Sequence, residues 1–426
     1  MGRSNEMAAL AAVRAIARGE LSAETLVRDC LARITAREPE VGAWIQLDAD
    51  LALGEARLRD AAVPRGALHG LPLGVKDLID TVQYPTSYGS PIYAGHRPAW
   101  DAACVARARA AGAFVLGKTV TTEFATFHPG KTANPHNPAC TPGGSSSGSA
   151  AAVADCMVPL AYGTQTAGSV IRPAAYCGVV GFKPSFGLIS RAGVKSLAES
   201  LDTIGVFARE IADAALFAGV LAGREWLPPD HPATPRLGLC RMPAWDQAEP
   251  AAKAVFEDAA TRLGRAGARL ADIGLPGEFQ QLVLAQGEIM AHEASHALAD
   301  ESVRHAELLS DRLKTLIDAG RGVPPERYDG HLRLARHCAA LLDAVFADVD
   351  VVLSLSAPGE APEGLGATGD PVFNRIWTLL GLPCIHLPFG RGPRGLPLGV
   401  QVIGRPGGDR SLLEAAAWVG GILRAG

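Results

Sequence analysis

The chain has 426 residues, with 40 Lys and Arg against 44 Asp and Glu for a net charge of −4, and is 48% hydrophobic and 20% charged. That balance excludes a disordered chain, supplies a sizeable core, and allows two or three domains or one large one. With no block of five consecutive basic residues, it also argues against phosphate neutralisation, so no nucleic-acid partner is expected.

The first elements in chain order are two helices over 5–38. Ala8, Leu10, Ala12, Val13 and Ile16 share one face, and Ser22 is placed to cap a second helix carrying Leu26, Cys30, Leu31 and Ile34. Leu71, Leu73 and Val75 alternate at period two, which predicts a strand delivering Lys76 and Asp77 to opposite sides. A helix over 101–111 and a strand over 113–116 follow. Near the end, 351–355, 384–387 and 399–403 read as buried strands and 410–422 as a closing helix. Helices alternating with short apolar strands predict α/β architecture around a largely buried sheet.

No run reaches the roughly 20 apolar residues that span a membrane, and the longest, 150–163, is broken by Asp155. The first twenty residues hold Arg14 and Arg18 in a helical pattern and show no signal-peptide core. Eight cysteines are scattered without a CxxC pair, which suits a reducing compartment better than a disulfide framework or zinc site. A cytoplasmic protein without membrane association is expected.

The centre is unusual. From Ala139 to Gly181 only Asp155 and Arg172 are charged, while hydroxyl residues and glycines abound. A serine-rich loop, 141–149, feeds a helix with Ala150, Val153, Ala154 and Met157 on one face. A second loop, 163–168, ends at Ser169, with a helix start near Arg172 that Pro173 restricts. So many hydroxyls are costly to bury unless each is bonded.

Three short motifs match and are set aside. His292-Glu-Ala-Ser-His296 fits a zinc pattern but lacks the third histidine of its extended form, so no metal is expected. Gly112 to Thr119 fits a phosphate loop, yet its variable residues are themselves the predicted strand and their N–H groups are spent in a sheet. Gly144-Ser-Ser146-Ser-Gly148 fits a nucleophile elbow, but turn formers stand where a strand is required.

The remaining constellation is chemical. Ser169 sits where a glycine-rich loop meets a helix start, among unpaired N–H groups. A serine needs a base to attack an amide. A lysine can be that base only when neutral, which burial in an uncharged region favours.

The segments Gly70-Leu-Pro-Leu-Gly-Val-Lys76-Asp77, 142–152, Gly163-Thr-Gln-Thr-Ala-Gly-Ser169-Val-Ile-Arg172 and 178–185 resemble the amidase-signature family of Ser–cis-Ser–Lys hydrolases, as do 381–384 and 395–401. The resemblance spans about 20–220 and 350–420. It implies one α/β/α domain over 1–426 with a large mixed, mostly parallel central sheet of about eleven strands covered by helices. Within it, 1–65 is a helical region, 66–220 the catalytic core, 222–345 a variable, mostly helical cap shaping the substrate site, and 346–426 the rest of the core.

Residue by residue, the resemblance places the catalytic lysine on Lys76, the bridging serine, held by a cis peptide, on Ser145, and the nucleophile on Ser169. Backbone N–H groups of Thr166, Ala167, Gly168 and Ser169 are expected to form the oxyanion hole, with Ser147 adding a supporting hydrogen bond. Ala167 departs from the family's commoner glycine and Gln165 from its aspartate, and an alanine needing positive φ at 167 would be strained. Arg172, one helical turn beyond Ser169, either binds a substrate carboxylate or pairs with a protein carboxylate such as Asp155.

The wording of 163–177, 357–364 and 368–377 is most similar to the malonamidase branch. A small, carboxylated amide of malonamate type is therefore the expected substrate, cleaved through an acyl-serine without a cofactor. The alternatives are a urea-derived amide such as carboxybiuret or allophanate, and the glutaminase component of a tRNA-dependent amidotransferase. A homodimer is the common expectation for such a chain.

Overall fold

Short apolar runs bounded by Gly and Pro become strands where a neighbouring run lies within reach, and eleven do so among the described residues. The structure is a computed structural model and describes residues 3–424. The strands are β1 (Trp44–Leu47), β2 (Pro72–Lys76), β3 (Phe114–Thr119), β4 (Leu160–Gln165), β5 (Val180–Lys183), β6 (Thr203–Ala208), β7 (Arg236–Leu239), β8 (Arg269–Asp272), β9 (Val351–Leu355), β10 (Cys384–Arg391) and β11 (Pro397–Ile403). They form one sheet in the order β1-β3-β2-β4-β6-β5-β10-β11-β9-β7-β8. Helices cover it and bury the central strands completely.

The sheet is mixed, as expected, but it is not mostly parallel. β2–β3, β2–β4, β7–β8 and β7–β9 pair parallel, whereas β1–β3, β4–β6, β5–β6, β5–β10, β10–β11 and β9–β11 pair antiparallel. The reason is local. The helical crossover from β4 to β5 leaves a gap one strand wide, and β6 returns to fill it antiparallel to both. β10 and β11 are then joined by a tight turn, which can only reverse the chain.

The predicted helices at the start are Ala9–Ala17 and Ala23–Val41, and the Ser22 hydroxyl accepts from Thr25 N at 3.0 Å as a cap. The closing helix is Asp409–Arg424. The central helix, Ser147–Ala154, ends before Met157, which is buried just beyond it. Pro173 does not stop the next helix, Ile171–Cys177. As its third residue, Pro173 lacks only an N–H that would have no partner within the helix.

Residues 222–345 are more than a peripheral cap. They supply β7 and β8 to one edge of the sheet, in addition to helices Leu282–Ala297, Asp311–Arg321 and Pro325–Ala340. Short runs such as 236–239 carry too little alternation to read as strands, and β8 is exposed along its length. A second apolar cluster, including Leu78, Phe124, Leu197, Met290, Leu313 and Leu316, seals these helices onto the loops beside β2 and β4.

Helix Ser147–Ala154 crosses the chain so closely that only glycine fits at 148. A Cβ there would lie 2.2 Å from the Ala43 carbonyl oxygen and 2.4 Å from Val120 N. Gly148→Ala should therefore destabilise the protein by about 1–3 kcal/mol. Gly421→Ala, in an exposed helical position with no atom within 4 Å, should be neutral or stabilising. Chemical denaturation of both variants checks the pair, and equal stability would contradict the close approach.

Candidate functional site

Lys76 is the last residue of β2 and is fully buried. Its Nζ lies 2.7 Å from Ser145 Oγ and 2.7 Å from Thr164 Oγ1, the latter supplied by the neighbouring β4. The Gly144–Ser145 peptide bond is cis. Ser145 O accepts from Thr122 N at 3.3 Å, and Gly144 O accepts from the Arg172 guanidinium at 2.7 Å, so the loop is tied from both sides. Burial pushes the Lys76 amine down from 10.5 to about 7, opposed only by the charge of Asp202.

Two other lysines are equally buried, and their partners set Lys76 apart. Lys118 lies 3.1 Å from Asp77 and donates to Ile79 O at 2.8 Å and to Thr86 Oγ1 at 2.5 Å. Lys183 donates to the carbonyls of Pro184 and Leu382. Carbonyls and carboxylates only accept, whereas a hydroxyl both accepts and donates. Among the described residues, Lys76 alone of the three has hydroxyls as its only partners and no carboxylate in contact to hold its proton. Asp77, as strand alternation requires, points the other way and accepts from Ser87 N and Oγ.

The second loop is held by Gln165. Its Oε1 accepts from Val170 N at 2.8 Å and Ile171 N at 3.0 Å, and its Nε2 donates to Thr378 Oγ1 at 2.9 Å. Thr378 in turn donates to Ala167 O at 2.7 Å. Thr166 Oγ1 donates to Asp202 at 2.6 Å, and Asp202 also accepts from Leu197 N and Ala198 N. Gln165 thus does what an aspartate could do for the two N–H groups, and adds a donor.

Among the described residues, the N–H groups of Thr166, Ala167, Gly168 and Ser169 donate to no protein atom, while those of Val170, Ile171 and Arg172 are all used. Four consecutive amides are left free beside the Ser169 hydroxyl. Ala167 is not among the residues with positive φ, so it fits without the strain considered for it.

Ser169 borders a small cavity of about 20 Å³ with Thr166, Ala167, Arg172, Phe127, Met290 and Leu316. No hydrogen bond joins Ser169 to Ser145 among the described residues; Lys76 and Ser145 are brought together and Ser169 faces the cavity. Ser147 does not support the site directly. Its hydroxyl donates to Val120 O at 3.4 Å and staples the helix start to a neighbouring loop. Ser146 is fastened to the Thr164 backbone at 3.3 Å.

Arg172 is 4% exposed and has no carboxylate partner among the described residues. Besides Gly144 O, Nη2 reaches Thr368 Oγ1 at 3.1 Å, while Nε and Nη1 are buried without any partner. Burial lowers its pKa to about 10. Pairing with Asp155 does not occur, because Asp155 is held by Arg33 at 2.7 Å and Arg37 at 3.1 Å.

The motifs set aside take structural positions. Residues 114–119 are β3 and pair with β1 and β2, which spends the amides a phosphate loop would need. Glu293 of the zinc-like motif accepts from Ser200 N, Ser200 Oγ and Tyr328 OH, and His292 stacks on Tyr328 with ring centroids 4.3 Å apart. Sequence reasoning missed Thr164 and Asp202 as neighbours of the site. Thr164 sits inside the quoted loop motif and could have been found there, whereas Asp202 carries no local signal. No helix among the described residues is long and apolar enough to cross a membrane.

Known proteins extend the picture. The family model described as Amidase matches residues 25–413. One component of the glutamyl-tRNA(Gln) amidotransferase of Chloroflexus aggregans is 34% identical over 464 residues, covering 95% of this chain and 94% of that protein. The peptide amidase of Stenotrophomonas maltophilia superposes with a TM-score of 0.84 at 30% identity, over 98% of this chain and 97% of that one. A structure from work on the origins of an s-triazine catabolic enzyme gives 0.88 at 28% identity, over 98% of each chain.

The first of these relatives corrects the expectation that nucleic acid plays no part. A net charge reports whether a chain neutralises phosphates itself. It says nothing of one member of an assembly that handles tRNA, which is what that relative's name describes. With a family match across most of its length, the chain belongs to the amidase-signature family of Ser–Ser–Lys hydrolases and is an amide-cleaving enzyme of α/β/α fold.

Proposed function

We propose that the enzyme hydrolyses a primary carboxamide on a small substrate that also carries a carboxylate, releasing ammonia through an acyl-Ser169 intermediate. The observation that carries the carboxylate is Arg172, a buried cation with two unpartnered nitrogens on the cavity that holds Ser169. A buried guanidinium without an anion is costly, and a substrate carboxylate relieves it.

Neutral Lys76 accepts the Ser145 proton as Ser145 accepts that of Ser169, and Ser169 Oγ attacks the carboxamide carbon. The oxygen that becomes negative is met by the free amides of 166–169, an arrangement in which one donor contributes about 3–4 kcal/mol. The relay then delivers a proton to the leaving nitrogen. Ammonia departs, and water cleaves the ester by the same relay in reverse. Thr164 holds the amine on the axis toward Ser145.

Malonamate is the member of this class suggested by the local wording of 163–177. Glutamine, also a carboxamide bearing a carboxylate, is the member favoured by the curated relatives, in which case the ammonia would serve a tRNA-dependent amidotransferase with further chains. Carboxybiuret and allophanate belong to the same class. The native mass of the chain drawn from its own cells separates a free hydrolase from one member of a larger complex.

Ammonia release should be measured on malonamate, malonamide, glutamine, biuret derivatives and simple neutral amides. Ser169→Ala should abolish release from every substrate. Arg172→Gln should reduce kcat/KM for carboxylated amides on the order of a hundredfold and for neutral amides far less. Equal losses on both would contradict the role of Arg172. Thr164→Val should lower kcat about tenfold with KM unchanged, and Thr164→Ser should restore it. A loss that serine does not restore would assign Thr164 to packing alone.

Lys76 also makes stability depend on pH. The unfolded lysine holds its proton up to 10.5 and the folded one only below about 7, so between those values the unfolded chain binds more protons. Stability at this residue therefore falls as pH drops from 10.5 to 7 and levels off below. Lys76→Met should lose activity, lack that slope, and be the more stable protein at pH 7. Denaturant titrations of both proteins across this range provide the check.

A further inference from the structure

A second arginine lies beside the site without a carboxylate of its own. Arg375, on helix Val372–Leu379, is half-buried, and its Nη1 donates to Gln286 Oε1. Gln286 Nε2 donates to Thr166 O at 2.9 Å, so one side chain separates Arg375 from the loop of free amides. Among the described residues Arg375 forms no salt bridge. The carboxylate whose charge acts on it is Asp370, which accepts from Val372 N. Arg327, which borders with Arg375 a cavity next to that of Ser169, is by contrast already taken by Glu288 at 2.5 Å.

The cavities explain what Arg375 faces. The space beside Ser169, about 20 Å³, is close to the room of a single water molecule. Phe127, Met290 and Leu316 form one wall of it, and the same three residues line a neighbouring cavity of about 400 Å³ that Arg375 also borders. A substrate longer than its reacting carboxamide that extends past them enters the cavity Arg375 borders. Met290 and Leu316 are flexible apolar side chains that can yield to it. The charge of Arg375 disfavours that of Arg172, Asp370 favours both, and a substrate anion between the two guanidinium groups adds to that relief.

We propose that Arg375 is a specificity-determining residue that, with Arg172, selects amides whose remote end is a carboxylate without a neighbouring ammonium group. The inference rests on the amidase reading above and narrows its substrate class. A carboxylate between two guanidinium groups is attracted by both, while an ammonium brought to the same place is repelled by both. An ω-amide of a simple dicarboxylic acid is favoured over the corresponding amino acid.

Glutaramate and glutamine form a matched pair, differing only in the α-ammonium. The wild-type enzyme should prefer glutaramate by at least about tenfold in kcat/KM, mainly through KM. Arg375→Gln should shrink that ratio toward one, Arg375→Lys should keep most of it, and Arg375→Asp should turn it toward glutamine. Because each ratio comes from a single preparation, it does not depend on the fraction of folded enzyme. A wild type indifferent to the ammonium, or a ratio unchanged in Arg375→Gln, overturns the proposal.

Glutarate binding, followed by calorimetry on the same proteins, separates this inference from the amidase reading. Absence of turnover on every amide would strike that reading alone. Arg375 would still be required to bind glutarate, with about tenfold weaker affinity expected in Arg375→Gln. Equal affinity in the two proteins contradicts its role.

Discussion

The site depends on one constraint, an amine buried where nothing but hydroxyls can answer it. A lysine removed from water without a carboxylate is driven toward its neutral form, and among the described residues Lys76 has Ser145 and Thr164 as its only hydrogen-bond partners. Lys118 is buried to the same degree, but it lies beside Asp77, whose charge opposes the lowering that burial brings. Burial alone therefore does not make a base. The uncharged centre of the chain removes every permanent anion from direct contact with Lys76, while Asp202, the one carboxylate that acts on it, is held by Thr166 and two backbone amides.

The second requirement is a row of amides with nothing to bond to. β4 ends at Gln165, and the helix that follows begins only at Ile171. Between them the chain belongs to neither ladder nor helix. Gln165 satisfies the two amides nearest the helix and leaves the four before it free. The sheet thus positions Lys76 and Thr164 on adjacent strands, and the gap between strand and helix positions Ser169 and its amides. Antiparallel β6 locks that β4 end in register, pairing Gln165 with Thr203.

Much of this was legible in the sequence because the decisive residues are local to their motifs. Lys76, Ser145 and Ser169 each sit in a short, glycine-bounded segment, and the alternation before Lys76 already turns it away from Asp77. The phosphate-loop match at 112–119 could be discarded by the same reasoning, since a residue paired in β3 has no amide to offer. What was not legible depends on long-range return of the chain. The insertion of β6 between β4 and β5, the two strands that 222–345 adds at one end of the sheet, and Asp202 accepting from Thr166 all join segments with no shared local pattern. Arg172 shows the limit most clearly. Its candidate partner Asp155 lies nearby in sequence, yet Arg33 and Arg37 of the second helix occupy that carboxylate and leave Arg172 to the cavity.

The most direct test of the account is the protonation of Lys76 itself. Lysine labelled with ¹³C and ¹⁵N, assigned by comparison with Lys76→Met, can be titrated by NMR in the folded enzyme. The account predicts that the signal absent from the variant, that of Lys76, loses its proton near pH 7, well before the exposed lysines. A Lys76 that stays protonated up to its ordinary value of 10.5 would contradict the neutral base on which the proposed relay depends.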